Sequence, residues 1–137
     1  MEELITAIER VRSKVNAHHP YYSRNEEAVK QQLVFEIFEV LGWNVKNPDE
    51  VRPEDKTGMG RADYALVING EMVAYIEAKK LSVDIVRDPS PLKQLGKYCY
   101  DQGVEYGILT NGVQWRAMKS LRQRRVLRNA FSLRSTS

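Results

Sequence analysis

The stretch GRADYALVINGEMVAYIEAKK, residues 60–80, carries the pattern from which the fold is predicted. It indicates two strands, RADYALVI and EMVAYIEAKK, joined at Asn69-Gly70, a residue pair typical of a tight hairpin turn. Strand alternation places Glu77 and Lys79 on one face of the second strand. Burying an acid and a lysine behind apolar neighbours costs hydration energy. This cost indicates that the pair has a chemical role.

A second acid, Asp63, lies in the preceding strand. Two acids and a lysine at the ends of adjacent strands suit a divalent metal, because hard oxygen ligands bind Mg²⁺ and the lysine can orient a hydroxide. A regular two-residue turn would put Asp63 on the face of Ile76, opposite to Glu77. The metal hypothesis therefore predicts a three-residue loop over 68–70 with Gly70 in a G1 bulge, or an equivalent bulge or kink near Asp63.

Two amphipathic helices are predicted before the hairpin, over 2–17 and 25–41, and Gly42 ends the second. Their apolar residues recur every three or four positions. These residues are Leu4, Ile8, Val11 and Val15 in the first helix and Val29, Leu33, Ile37 and Val40 in the second. His18 and His19 lie between the helices and are interpreted as surface residues, since adjacent histidines rarely bind one ion without further ligands.

The rest of the chain alternates between short extended segments and one helix. Strands are predicted at WNVKN (43–47), DEVRP (49–53), VEYGILT (104–110) and VQWRAM (113–118), with a loop at TGMG (57–60) and a helix at 91–102. Asn111-Gly112 joins the last two strands. The predicted fold class is α/β, a mixed β-sheet flanked by helices, forming one domain over 1–118 that is followed by a basic tail, 119–137. No Walker phosphate-binding loop is present, so no ATP site of that kind is expected.

Charge is distributed unevenly along the chain. Residues 106–137 contain seven basic residues and no acid, whereas residues 1–105 contain 14 basic and 18 acidic residues. The basic end indicates contact with nucleic acid, although a solvated tail has the same composition. A single cysteine, Cys99, and the lack of a long apolar run or signal peptide predict a cytoplasmic protein with no membrane partner and no zinc site.

Glu26 has two interpretations. It follows Ser23 at the spacing of a capping box, in which it would satisfy amides at the start of the helix. It also lies one turn before Val29, which tips its carboxylate towards the sheet. The local sequence favours the cap.

Five segments occur in a recognisable order: NEEAVKQQLVFEIFEVLGW, EVRPEDKTGMGRADY, IEAKK, QLGKY and ILTNGVQW. This ordered set resembles the PD-(D/E)XK nuclease motif, and most closely the N-terminal nuclease domain of type I restriction enzyme R subunits, over about residues 25–117. The resemblance implies a restriction-endonuclease-like fold and a DNA endonuclease that hydrolyses phosphodiester bonds with Mg²⁺, for which Mn²⁺ can substitute.

The resemblance also implies roles for individual residues. Asp63, Glu77 and the carbonyl of Ala78 would bind the metal, and Lys79 would position the attacking water and offset charge at the phosphate. Glu26 becomes a metal-site acid, with Glu27 as a less favoured substitute.

Gln94 and Tyr98 match the family's Q-x-x-x-Y motif and are expected on one face of a helix. Gln94 would orient a water molecule or nearby backbone, and Tyr98 would contact the nucleic acid. Lys80 and Lys97 would contact phosphates. Arg61 would contact DNA or screen the two acids.

Two alternatives remain open from the sequence. The domain could be a non-catalytic or partner-dependent nucleic-acid-binding or scaffold domain of a restriction complex, or the motif could be a coincidence in a general interaction domain. In the family the nuclease domain precedes helicase-like motors that these 137 residues lack, so motor or specificity subunits are expected partners. Because one site cuts one strand, a homodimer is one way to cut a duplex.

Overall fold

The hairpin predicted at residues 60–80 lies within a five-stranded mixed sheet. The computed structural model describes residues 1–54 and 62–120. The strands follow one another across the sheet in sequence order, and all neighbours are antiparallel except β3 and β4, which are parallel. They are β1 Val51–Pro53, β2 Tyr64–Ile68, β3 Glu71–Ala78, β4 Tyr106–Thr110 and β5 Trp115–Lys119.

Helices cover both faces of this sheet. On one side lie α1 Glu2–Ala17, α2 His19–Arg24, α3 Glu26–Val29, a π-helical turn Lys30–Val34, and α4 Phe35–Val40; on the other lies α5 Ser90–Gln102. The last of these connects β3 to β4, because parallel neighbours need a crossover and cannot be joined by a tight turn. The architecture confirms the predicted α/β class with a mixed sheet flanked by helices.

Alternation along β3 divides the core into two parts. Ala74, Ile76 and Ala78 belong to the cluster formed with the helices before β1, whereas Tyr75 packs in the cluster beneath α5. Successive side chains of a strand point to opposite faces, so a strand that is apolar on both faces must lie between two layers. The site at its end is therefore positioned by both layers.

The first two helix predictions hold with small corrections. The helix over 2–17 is α1, but Ala7 is buried beside Val11 and Val15 whereas Ile8 is 40% exposed. The helix predicted over 25–41 extends over 26–40 and contains the π-helical turn. Gly42 ends it with a left-handed φ of 103°, a conformation that glycine adopts without steric cost.

Two local predictions are wrong. The capping box of Ser23 and Glu26 does not form: Asn25 is the N-cap and its Oδ1 accepts the Ala28 amide at 3.0 Å. WNVKN is not a strand, since the Asn44 side chain accepts the Lys46 amide within a turn. Side chains of asparagine compete with the strand ladder for backbone donors in this way.

The β2–β3 hairpin has a two-residue turn, and the predicted three-residue loop is wrong. Asn69 and Gly70 have φ values of 51° and 80°, as a type I′ turn requires. Ile68 pairs with Glu71 directly across this turn. A regular continuation of this pairing would have placed the two acids on opposite faces.

A β-bulge in the same hairpin restores the shared face. The register shifts between Leu66 and Val67, and Val73 is left as the extra residue of β3. Continued past Tyr64, the shifted register places Asp63 opposite Glu77, and paired residues share a face of a sheet. The metal hypothesis predicted either a three-residue loop or an equivalent bulge, and the structure contains the bulge.

The remaining predictions for the fold concern single segments. DEVRP, the helix at 91–102 and the last two strands are confirmed as β1, α5, β4 and β5. The loop at 57–60, Arg61 and residues 121–137 of the basic tail lie outside the described residues. Within the two described ranges, no helix is long and apolar enough to cross a membrane.

Candidate active site

Asp63 is held at the entrance to β2 by its backbone and by its carboxylate. Its amide donates to the Ile76 carbonyl at 2.8 Å, and its carbonyl accepts the Glu54 amide at 2.9 Å. Carboxylate oxygen Oδ2 accepts the Ala78 amide at 2.7 Å, and Oδ1 lies 2.8 Å from Lys30 Nζ. The residue is 4% exposed, so its charge depends on these partners for compensation.

Glu77 lies near the end of β3 and is also 4% exposed. Its Oε2 is 3.0 Å from Lys79 Nζ. The Lys79 amide donates to the Thr110 carbonyl at 2.8 Å, which fixes the lysine backbone beside the end of β4. The structure therefore brings Asp63, Glu77 and Lys79 to one edge of the sheet, as the sequence predicted.

Lys30 is a site residue that the sequence analysis missed. Its Nζ lies 2.8 Å from Asp63 and 3.3 Å from Glu27 Oε1, and its side chain is 13% exposed. Burial disfavours the charged lysine, but the hydrogen bond and charge of Asp63, with a smaller contribution from Glu27, outweigh it and raise the pKa of Lys30. Its three-residue spacing from Glu27 was the available signal.

Tyr64 follows Asp63 directly but packs with the core on the opposite face of the sheet. Its ring meets Phe35 edge-on with centroids 5.0 Å apart. Burial raises the pKa of the Tyr64 phenol, and the charges of Lys30, Glu27 and Asp63 act on it as well. Tyr64 is thus a partly buried core residue next to the site.

Glu26 is predicted to be a metal-site acid, and this role stays a prediction. It is half-buried at the start of α3, and among residues 1–54 and 62–120 no group of three or more His, Cys, Asp or Glu is arranged to hold a metal ion. The two buried carboxylates that the hairpin brings to this position are those of Asp63 and Glu77. Mg²⁺ is commonly held by one or two carboxylates, with waters and substrate phosphates completing its shell, so this pair fits Mg²⁺ better than a cation that needs a full protein cage.

Gln94 and Tyr98 lie one turn apart on α5 but in different surroundings. Gln94 is exposed, whereas Tyr98 is half-buried with its ring centroid 4.8 Å from that of Tyr75. Burial, followed by Tyr98, raises the pKa of Tyr75. The predicted contact of Tyr98 with nucleic acid and the predicted role of Gln94 stay predictions.

The predicted phosphate contacts are on the surface. Lys80 is exposed, and Lys97 is exposed with its Nζ 3.1 Å from Asp101. Arg61 lies outside the described residues. His18 and His19 are exposed, in agreement with the interpretation as surface residues.

The turn between β4 and β5 forms hydrogen bonds with the segment that follows Lys79. Asn111, 2% exposed, donates from Nδ2 to the Val83 carbonyl at 2.8 Å. Gln114 accepts the Ile85 amide at 3.1 Å and donates to Asp84 at 3.2 Å. The ILTNGVQW segment therefore supports the loop after the E-A-K residues, a role that the sequence order alone did not reveal.

Comparison with known proteins places this site in a family. The sequence model for the type I restriction enzyme R protein N terminus matches residues 56–125, just over half of the chain. The chain belongs to this family. The match includes Asp63, Glu77, Lys79 and the Q-x-x-x-Y residues, and the sheet with its flanking helices is a restriction-endonuclease-like fold.

One curated relative gives the same indication. The chain is similar to the type II restriction enzyme and methyltransferase RM.Eco57I of Escherichia coli, with 27% identity over 120 residues. The alignment covers 76% of this chain and 12% of the relative, so the chain spans a small part of that protein's length. No solved structure matches the chain. The domain is thus related to the nuclease part of restriction systems.

Proposed function

We propose that this domain is a metal-dependent DNA endonuclease that hydrolyses phosphodiester bonds. The observation that carries the proposal is the pair of buried carboxylates, Asp63 and Glu77, at one edge of the sheet with Lys79 3.0 Å from Glu77. Burying two carboxylates costs hydration energy even when each meets a lysine, and binding a divalent cation would give both acids a common role.

The residues would divide the work as follows. Asp63 and Glu77, helped by the carbonyl of Ala78, would hold Mg²⁺ or Mn²⁺, with Glu26 as a further acid. When bound, the metal supplies a Lewis acid for the scissile phosphate and lowers the pKa of water. The Lys79 ammonium would offset phosphate charge and orient the attacking water, because it is tethered to the site by Glu77 and by its own backbone.

Substrate contacts would surround this centre. Tyr98, Lys80, Lys97 and Arg61 would meet the nucleic acid, and Gln94 would orient water or backbone next to it. Nothing in these residues provides a recognisable reading of bases, so isolated cleavage should depend weakly on sequence. Cutting both strands would require a homodimer or a second binding event, and motor or specificity subunits of a restriction system would direct the domain to its target.

A partner-dependent binding or scaffold domain is the second candidate function. It is favoured by the neutralisation of both acids, since Lys30 meets Asp63 and Lys79 meets Glu77. The small share of RM.Eco57I that the chain spans fits a domain that acts within a larger enzyme. On this alternative, the isolated domain binds DNA without cutting it.

The test is a nicking assay on supercoiled DNA with Mg²⁺, Mn²⁺ or EDTA. We expect Asp63→Asn, Glu77→Gln and Lys79→Met each to lower the metal-dependent rate on the order of 100-fold or more, because each removes a charge that acts in the transition state. Glu71→Gln is the matched control: it changes an exposed acid of the same strand and should cut at the wild-type rate.

Circular dichroism of each variant establishes that the fold is retained. Nicking that persists in EDTA, or in folded Asp63→Asn at the wild-type rate, would refute the proposed site. Equal inactivity of all proteins with retained DNA binding would favour the scaffold function.

A further inference from the structure

Lys30 and Asp63 form a buried ion pair at the place where a metal would bind. The Lys30 and Asp63 side chains are 13% and 1% exposed, and their charged atoms are 2.8 Å apart. The other Asp63 oxygen already accepts the Ala78 amide. A divalent cation that binds Asp63 would therefore lie close to the ammonium of Lys30, and the two positive charges would repel.

The helix offers Lys30 a second acid. Glu27 Oε1 lies 3.3 Å from Lys30 Nζ, and the Glu27 side chain is 58% exposed, so it faces outwards from the site. Lys30 is the first residue of the π-helical turn Lys30–Val34, an irregularity often found at functional sites. The lysine can thus leave Asp63 without becoming an isolated charge.

The charge balance of the site gives this exchange a direction. Among the ion pairs of the described residues, Lys30 meets Asp63 and Lys79 meets Glu77, so each acid has one ammonium beside it. A divalent cation makes both lysines surplus at the acids, where like charges repel at short range. The surplus charge suits a phosphate of the nucleic acid.

We propose that Lys30 occupies Asp63 when no divalent cation is present and is displaced by metal loading towards Glu27 and the phosphate of the substrate. This inference rests on the proposed function, because it assumes that Asp63 binds the metal. Lys30 is then a positioning residue that makes the metal and an anionic substrate bind cooperatively. Metal binding drives Lys30 off Asp63 so that it can meet the phosphate, and the phosphate draws Lys30 away so that it no longer repels the metal.

The test measures Mn²⁺ binding by titration calorimetry without DNA, so it does not depend on activity. Lys30→Met should bind Mn²⁺ at least about tenfold more tightly than wild type, because the competing charge is gone. Its melting temperature without metal should fall, since Asp63 loses its cation, and Mn²⁺ should raise that temperature more than it does in wild type. Lys46→Met is the matched control, because it removes an exposed lysine in the turn before β1, and its Mn²⁺ affinity should equal that of wild type.

The outcomes separate this inference from the proposed function. Wild-type Mn²⁺ affinity in Lys30→Met, combined with loss of binding in Asp63→Asn, would overturn the role of Lys30 and retain the metal site. Equal binding by Asp63→Asn and wild type would overturn the metal site itself. If Lys30→Met is unfolded at the assay temperature, Lys30→Gln replaces it, since glutamine keeps an N–H donor without the charge.

Discussion

At the scale of single residues, buried acids in this domain are matched by basic side chains. Asp63 meets Lys30 and Glu77 meets Lys79 at the candidate site, and on α4 Glu36 meets Lys14 and Arg10 of α1. A buried carboxylate without such a partner would lose its hydration with no compensation. The ion pairs of Asp63 and Glu77 belong to the candidate site. The pair formed by Glu36 connects α1 to α4, and it is predicted to affect only the stability of the fold.

Glu36 should make the domain sensitive to acid. Burial alone would raise the pKa of Glu36, but Lys14 and Arg10 outweigh it and hold that pKa below its ordinary value of 4.5. The folded state therefore binds fewer protons than the unfolded state, so this stabilisation is complete above pH 4.5 and is lost as pH falls through the folded pKa. We expect Glu36→Gln to lower the free energy of unfolding by about 1 kcal/mol at pH 7.

Urea unfolding at pH 7 and at acid pH measures this effect. The difference between wild type and Glu36→Gln should shrink as pH falls below 4.5, whereas Glu39→Gln, which changes an exposed acid of the same helix, should differ little from wild type at either pH. A difference that does not change with pH would contradict the assigned ion pair.

Asp63, Glu77 and Lys79 could be found from the sequence, but Lys30 could not. The acids and Lys79 stand out because alternation in a strand leaves few explanations for charges among apolar residues. Lys30 lies beside the buried Val29 and begins the π-helical turn, and its three-residue spacing from Glu27 predicts only a pair on the helix surface. Its role also requires Asp63 from a distant part of the chain.

At the scale of elements, α5 packs on β4 through a contact that only glycine permits. A Cβ on Gly107 would lie 2.8 Å from Met118 Sδ and 3.1 Å from both Cys99 Sγ and Leu95 Cγ. Leu95 and Cys99 are fully buried on α5. The helix that carries Gln94 and Tyr98 can therefore approach the sheet closely because β4 lacks a side chain at this position.

Gly107→Ala should lower the free energy of unfolding by about 1–3 kcal/mol, because the added methyl group overpacks this interface. Chemical denaturation measures the change. Gly96→Ala is the matched control: its Cβ would meet only the end of Met118, at 3.3 Å, and alanine gains up to about 1 kcal/mol of helix propensity. An equal effect of the two substitutions on the free energy of unfolding would contradict the prediction that Gly107 is needed for the close packing of α5 on β4.

The elements themselves were largely predictable, and the failures have local causes. Strands of alternating or continuous apolar residues and the long helices follow from periodicity. WNVKN failed because Asn44 and Asn47 bond to backbone amides and hold turns there, while Trp43 and Val45 still pack on the core. The prediction of a three-residue loop failed because the extra residue lies inside β3, as a bulge, and not in the turn.

At the scale of the whole molecule, charge is distributed unevenly along the sequence. The five arginines after Lys119 all lie in residues 122–134, outside the described part of the chain, whereas residues 1–105 have more acids than bases. If the domain binds DNA, this end supplies charge that the first 105 residues lack. Contacts of this kind release counterions and weaken as salt rises.

Replacing these five arginines by glutamine should weaken DNA binding at low salt. The slope of log affinity against log salt concentration should become less steep by up to about 4.5, since each phosphate contact contributes about 0.9. Fluorescence anisotropy with duplex DNA at several salt concentrations measures both quantities. An unchanged slope would show that the arginines make no phosphate contacts.

Because of the bulge at Val73, the number of residues between the two acids indicates whether they share a face of the sheet. The 13 residues from 64 to 76 separate Asp63 from Glu77. Facing positions in a regular hairpin with a two-residue turn are separated by an even number of residues, so an odd number requires one additional residue in the turn or a strand. In related chains, an odd interval between these acids therefore implies a bulge or a three-residue turn, and an even interval implies a plain hairpin. A change of one residue in this interval, without a compensating change, would separate the acids while leaving the E-A-K motif intact.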